Sequence, residues 1–360
     1  MNEPLKGLTV IDVSTVLAGP SVGMFFAELG ARVIKVEHPN HPDVTRSWKL
    51  PVEPSDKTIS AYFSSINYKK EYRPLNLKQP DDLSIFFELI SSADILLSNF
   101  KRGDAEKFGI EDDVLLKKNP RLIIGKINGY GQHSDRVAYD LILQAESGFM
   151  SINGTRESGP VKMPVAMVDV LAGHHLKEAV LLALYEREKT GQGSSLSVSL
   201  YDAAVSNLVN QASNYLMTGQ VPERMGSLHP NIAPYGELFT TEDEQVITLA
   251  IGSDMHFARL CFILGLEELP THSRFNTVQN RVRYRSELFG YLDAAIRTWH
   301  SDDFLAAMRD QHVPAGAVLS IDQVMDKPEA KSLIREEIID GVKTKRITSV
   351  IFQSHGNPIS

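Results

Sequence analysis

Residues 8–37 decide the fold: Leu8-Thr9-Val10-Ile11-Asp12-Val13, a turn at Ala18-Gly19-Pro20, an apolar stretch from Ser21 to Leu29, then Gly30 and Arg32-Val33-Ile34-Lys35-Val36-Glu37. The two flanking runs are rich in β-branched residues, which suit the pleated surface of a strand. The stretch between them reads as a helix, with Gly30 as its C-terminal stop. Strand, tight turn, helix and strand in about thirty residues make a βαβ unit, and two strands joined that way run parallel. The same alternation continues outward. A helix is expected over Asp81–Ser92, a strand over Asp94–Ser98 and another over Arg121–Ile127. A ligand of such a sheet lies beyond the C-terminal ends of the strands. The loops starting at Ser14, His38, Asn99 and Asn128 occupy that edge.

The longest amphipathic helix is expected over Val170–Lys189, with Leu171, Leu176, Val180, Leu181 and Leu184 at helical spacing and Thr190-Gly191-Gln192-Gly193 ending it. Asp169 stands immediately before it, a position where aspartate serves as an N-cap. The residues ahead of it, Pro164-Val165-Ala166-Met167-Val168, are apolar. A carboxylate there would meet a partly dry setting at the positive end of a helix. A strand over Ser195–Leu200 and a helix over Asp202–Met217 follow. Gly219–Pro234 is loop-rich and reads as a linker. Beyond it lies a smaller α/β unit, opening with a hairpin of Tyr235–Thr240 and Val246–Ile251 and continuing with helices over Met255–Leu264, Arg283–Trp299 and Asp302–Gln311. The expected division is therefore a large region over 1–200, completed by about 320–360, a helix and linker over 201–234, and a small domain over 235–319.

The 42% hydrophobic and 23% charged composition excludes a disordered or fibrous chain. A formal net charge of −8 argues against a nucleic-acid partner, which would call for a basic surplus. No run approaches the length of a membrane helix, and the N-terminus lacks a signal pattern. The single cysteine, Cys261, cannot form an internal disulfide, and cytoplasm is the expected compartment. Cys261 sits in the apolar run Leu260–Leu264 and is expected to be an inert core residue. His174-His175 lacks the helical spacing of a metal pair, so no metal is expected.

Several fragments in order resemble the class III CoA-transferases of the CaiB/BaiF type, the family of formyl-CoA and carnitine CoA-transferases, together with their relatives the α-methylacyl-CoA racemases. They are Leu5–Asp12, Ala18-Gly19-Pro20, Leu29–Glu37, Asp43-Val44-Thr45-Arg46, Asn99-Phe100, Gly129-Tyr130-Gly131 and Tyr139-Asp140, then the Asp169 segment, Arg187–Gly193, Ala233–Gly236 and Val313–Gly316. The resemblance runs from Pro4 to about Phe352. Relatives usually continue into a further helix, where this chain has Gln353–Ser360.

The resemblance implies an α/β fold: a Rossmann-like large domain with a parallel sheet built from both chain ends, a smaller inserted α/β domain, and an interlocked homodimer. It places the family nucleophile at Asp169. An acyl-CoA and a small carboxylic acid would be the partners, with coenzyme A as substrate and no tightly bound cofactor. The implied CoA bed begins with Val16 and Ala18, where Leu17 stands in place of a common family glutamine. His38 follows the second strand, where formyl-CoA transferase has arginine, and Leu75 follows the Asn67–Arg73 loop. Asn99, Phe100 and Lys101 come next, then Lys107, again in place of an arginine. Asn128, Gly129 and Tyr130 complete the bed, and Tyr139 and Asp140 are candidates for the substrate pocket.

Two other activities compete. A 2-methylacyl-CoA racemase needs an acid and a base at the α-carbon, and the family histidine for that task would fall at Tyr139. An NAD-dependent oxidoreductase would use the first βαβ unit, but the turn there lacks a G-x-G-x-x-G run. The sequence leaves open which acids are exchanged.

Overall fold

The computed structural model describes residues 3–352, and the expectation for Gln353–Ser360 lies outside them. The described residues divide into two compact units, one of residues 3–150, 162–221 and 331–352, the other of residues 151–161 and 222–330. The second unit thus starts earlier than residue 235 and also takes a short excursion at 151–161.

The first unit is built on six parallel strands: β1 (Thr9–Asp12), β2 (Arg32–Glu37), β3 (Lys70–Pro74), β4 (Ile95–Ser98), β5 (Ile123–Asn128) and β6 (Ser194–Ser199). Their order is β3-β2-β1-β4-β5-β6, the doubly wound order in which the chain reverses direction between β1 and β4. Helices α1 (Ala18–Glu28), α2 (Ala61–Ser64), α3 (Pro80–Ser92), α4 (Asp104–Phe108), α5 (Asp112–Lys118) and α6 (Asp140–Glu146) alternate with the strands. The short α7 (Phe149–Ile152), the long α8 (Met167–Thr190), α9 (Leu200–Ser206) and α10 (Val209–Thr218) follow.

Successive residues of the inner strands face opposite cores, as the pleat requires. Val10, Val33, Ile95 and Ile123 pack with α1 and α8, whereas Ile11, Ile34, Leu96 and Ile124 pack with α3 and α5. Segment Asn67–Arg73, expected as a loop, instead contributes the edge strand β3. Its charges and terminal Pro74 suit an edge, and they conceal the strand in the sequence. The helix expected over Asp202–Met217 is two helices, separated where Val209 takes φ +43°. Gly191 ends α8 in the left-handed conformation at φ +73°, as its place in the sequence suggests.

Near the end of the chain, β10 (Ile334–Ile339) and β11 (Val342–Ile347) form an antiparallel hairpin in this unit. The segment after it is fastened to α1 by buried Glu28, which accepts hydrogen bonds from Arg346, Thr348, Ser349 and the Val350 amide. The second unit holds an antiparallel sheet of β7 (Tyr235–Thr240), β8 (Val246–Ala250) and β9 (Ala315–Ala317). Helices α11 (Asp254–Leu264), α12 (Val278–Arg283), α13 (Arg285–Ile296) and α14 (Ser301–Asp310) accompany it. Cys261 is fully buried in that core, where burial pushes its thiol up to about 12. It is an inert packing residue.

Candidate active site

The reversal between β1 and β4 opens a crevice where the loops after these strands part. Thr15–Ala18 follow β1, Asn99–Arg102 follow β4 and Asn128–Gly129 follow β5, and together they line a cavity of about 220 Å³. Asp169 lines the same cavity, as do Arg136, Tyr139 and Leu200. A second cavity of about 310 Å³ lies at the ends of β2 and β3, lined by His38, Leu75 and Asn76. Thr15 and Phe100 belong to both cavities, so the two adjoin along the strand ends.

Asp169 does not cap its helix. The helix begins two residues before it, with Ala166 at the N-cap making no side-chain bond. The capping work falls to Asp140 instead. Its Oδ1 accepts the Val168 amide at 2.8 Å, satisfying a first-turn donor that α8 cannot satisfy itself. Its Oδ2 accepts from Gln144 Nε2 at 2.7 Å. Fully buried Gln144 then grips the segment leading into α8, accepting the Met163 amide at 2.8 Å and donating to the Met163 and Val165 carbonyls.

The helix turn that carries Asp169 is thereby fixed, while the Asp169 carboxyl gains no partner. The residue is 8% exposed, and among the described residues it has neither a hydrogen-bond donor nor a cation. Burial, with a smaller push from the Asp140 carboxylate, raises its carboxyl to about 7. Its charge is felt at Tyr62, whose hydroxyl is pushed up to about 12 by burial first and then by Asp169, Asp140 and Asp43. Tyr62 packs edge-on against Trp48, with ring centroids 5.2 Å apart.

The other expected residues divide. Val16, Ala18, Asn99, Phe100, Lys101, Asn128, Gly129 and Tyr139 share the Asp169 cavity, whereas His38 and Leu75 line its neighbour. Asn99 fixes the β1 loop, accepting the Thr15 amide at 3.0 Å and donating to the Thr15 carbonyl at 2.8 Å. Lys107 lines neither cavity; it projects from α4 and pairs with Asp104 at 3.0 Å. Tyr130 also stands outside both, stacked on Tyr201 beneath Arg136 and donating to Glu146 at 2.6 Å. Asp140 supports the helix that carries Asp169. Sequence reading missed Arg102, Arg136, Tyr62 and Gln144. Only the first two carried a signal, being basic residues beside loops already singled out.

The profile described as CoA-transferase family III matches residues 5–359. The succinate–glutarate CoA-transferase of Agrobacterium fabrum is 37% identical, over 96% of this chain and 90% of its own. The acetyl-CoA:oxalate CoA-transferase of Acetobacter aceti is 34% identical, over 91% of this chain and 83% of its own. A crystal structure of a CaiB/BaiF family protein from Brucella suis superposes with a TM-score of 0.83 at 34% identity, covering 98% of this chain and 93% of that one. These matches run through both units and include every strand at the crevice, so the chain belongs to the family III CoA-transferases and is an enzyme of that class.

Proposed function

We propose that Asp169 carries the acyl group and then CoA in a two-stage exchange between dicarboxylic acids. The observation that carries this reading is a buried carboxylate, without a cation, opening into the crevice at the strand ends. A carboxylate so placed is poorly solvated, and its ionised form is a stronger nucleophile than one in water. Attack of Asp169 on the thioester carbonyl would form a mixed anhydride and release CoA thiolate. The thiolate would then attack the aspartyl carbonyl, giving an aspartyl-CoA thioester and freeing the first acid. The second acid's carboxylate would attack that thioester and release the thiolate again. The thiolate's return to the acceptor carbonyl would yield the new acyl-CoA and regenerate Asp169.

The adjoining cavities suit an elongated ligand, with the CoA thiol end at Asp169 and the nucleotide end toward His38 and Leu75. A dicarboxylic acid leaves a second carboxylate to be bound. Lys101, Arg102 and Arg136 line the Asp169 cavity, and the two relatives described are named for succinate, glutarate and oxalate. Exposed apolar side chains on α8 and α10, among them Leu182, Tyr185, Leu216 and Met217, support an interlocked homodimer as the working form.

The direct test mixes the protein with succinyl-CoA, quenches, digests and weighs the peptides. Expected is CoA on the peptide containing Asp169, absent from Asp169→Ala, and CoA transfer to glutarate by the unaltered protein alone. Label confined to another carboxylate, or full turnover by Asp169→Ala, would overturn the reading.

A further inference from the structure

The turn beside Asp169 is held from below by buried charge. Asp12, at the end of β1, accepts from the Ser14 amide at 3.0 Å and from Lys70 Nζ at 2.8 Å. Lys70 directs its remaining protons to the Pro20 carbonyl at 2.8 Å and Asn67 Oδ1 at 2.9 Å. Lys35 Nζ donates to the Ser14 carbonyl at 2.7 Å and pairs with Asp43 Oδ2 at 3.2 Å. Asp43 accepts the Val16 amide at 3.2 Å on Oδ2, while its Oδ1 takes the Thr45 amide at 3.0 Å and hydroxyl at 2.7 Å. The side chains of Asp12, Lys35, Asp43 and Lys70 have no exposed surface.

Val16 itself has φ +73°, left-handed backbone that a β-branched residue adopts only when its surroundings over-determine it. Packing fixes where this turn sits relative to α8. A Cβ on Gly173, one turn beyond Asp169, would lie 2.7 Å from Ser21 Oγ and 3.2 Å from the Ala18 carbonyl oxygen. The start of α1 therefore meets α8 with no slack.

We propose that Asp43, paired with Lys35, is a positioning residue that locks Val16 in its left-handed turn, so that Thr15–Ala18 wall the Asp169 cavity and limit water at that carboxylate. The inference rests on the nucleophilic role proposed above. Both Asp43 oxygens act as acceptors: Oδ2 faces Lys35 and the Val16 amide at 3.2 Å, while Oδ1 takes Thr45 and a longer 3.4 Å share of the Val16 amide. An asparagine has one acceptor oxygen and no charge, so it loses the Lys35 pairing together with either the shorter Val16 bond or both Thr45 bonds.

The test is the joint substitution Lys35→Met with Asp43→Ala, which removes one charge of each sign and leaves no unpaired ammonium from this pair. The charged and titratable groups around Asp169 remain: Asp140 from α6, Tyr62 from α2, Tyr139 ahead of α6, and Lys101, Arg102 and Arg136 along the cavity. As water reaches Asp169, the acid-side midpoint of kcat/KM is expected to move from about 7 toward the ordinary carboxylate range. Turnover above the midpoint should fall about tenfold or more, and the Val16 amide should exchange faster with deuterium. A folded double variant with an unmoved midpoint overturns the proposal. Should the pair not fold, Thr45→Val loosens Asp43 without touching a charge; a smaller displacement in the same direction is expected, and an unmoved midpoint again overturns it. Full turnover by Asp169→Asn would remove the nucleophile reading instead, whereas an inactive Asp169→Asn with an unmoved midpoint in the double variant removes only the role of Asp43.

Discussion

Asp12 at the end of β1 and Asp169 in the first turn of α8 are both buried, yet their surroundings treat charge in opposite ways. Burial penalises the ionised form at each. At Asp12, Lys70 and Lys35 overcome that penalty, helped by hydrogen bonds from Lys70 and Ser14, and the carboxyl is held below its ordinary value. At Asp169 no cation answers the penalty, Asp140 adds to it, and the carboxyl rises to about 7. The difference teaches that depth does not mark the site. A buried charge with a buried partner builds the molecule, whereas one left without a partner and facing a cavity is available for chemistry.

The largest contrast comes from removing each charge. Asp169→Asn keeps the shape and removes the proposed nucleophile, so turnover should fall by about a thousandfold or more. The fold should gain. A carboxyl whose pKa is raised in the folded protein binds its proton more tightly there than in the unfolded chain. Wild-type stability therefore falls as pH rises from the ordinary aspartate value toward about 7. Asp169→Asn should melt at a higher temperature than wild type at pH 8, with the advantage shrinking as pH falls from about 7 and gone below about 4. A lower melting temperature at pH 8 would mean that Asp169 has a stabilising partner after all.

Asp12→Asn should do the reverse. It leaves the Lys70 ammonium buried without its counter-charge, at a cost of about 3–5 kcal/mol. Denaturant unfolding at pH 7 measures that loss. The enzyme that remains folded should keep an acid-side midpoint near that of wild type. A variant as stable as wild type would show that the Asp12–Lys70 contact contributes nothing to the fold.

The sequence displays these two regions unequally. Strands β1, β2, β4 and β5 were legible because a parallel sheet covered on both faces needs unbroken apolar runs, and Val10-Ile11, Val33-Ile34, Ile95–Leu97 and Ile123-Ile124 supply them. Strand β3 was not, because Lys70-Glu71-Tyr72-Arg73 follows the needs of an edge and of buried ion pairing. Asp12 and Lys35 did carry a hint: a charge inside an otherwise apolar strand needs a partner somewhere. Which partner it finds depends on register and on loops many residues away, and local pattern does not encode that. Asp169 was located through the family resemblance; its local setting suggested a cap. The cap proved to be Asp140, reaching from another helix across 28 residues of chain.

The finest test of the comparison is Asp140→Asn, because Asp140 both supports α8 and opposes the charge on Asp169. Asparagine can still accept the Val168 amide through its oxygen, so the helix keeps that bond. Its amide then faces Gln144 Nε2, which is already a donor toward the Met163 and Val165 carbonyls. One hydrogen bond is lost there, and stability should drop by about 1 kcal/mol. At Asp169 the nearby negative charge disappears while burial, the larger influence, stays. The acid-side midpoint of kcat/KM should therefore move below about 7 but remain above that of an ordinary aspartate. A midpoint that falls all the way to the ordinary value would make Asp140, and not burial, the main reason that Asp169 holds its proton. The contrast with Asp12 would then be one between neighbouring charges, with burial common to both.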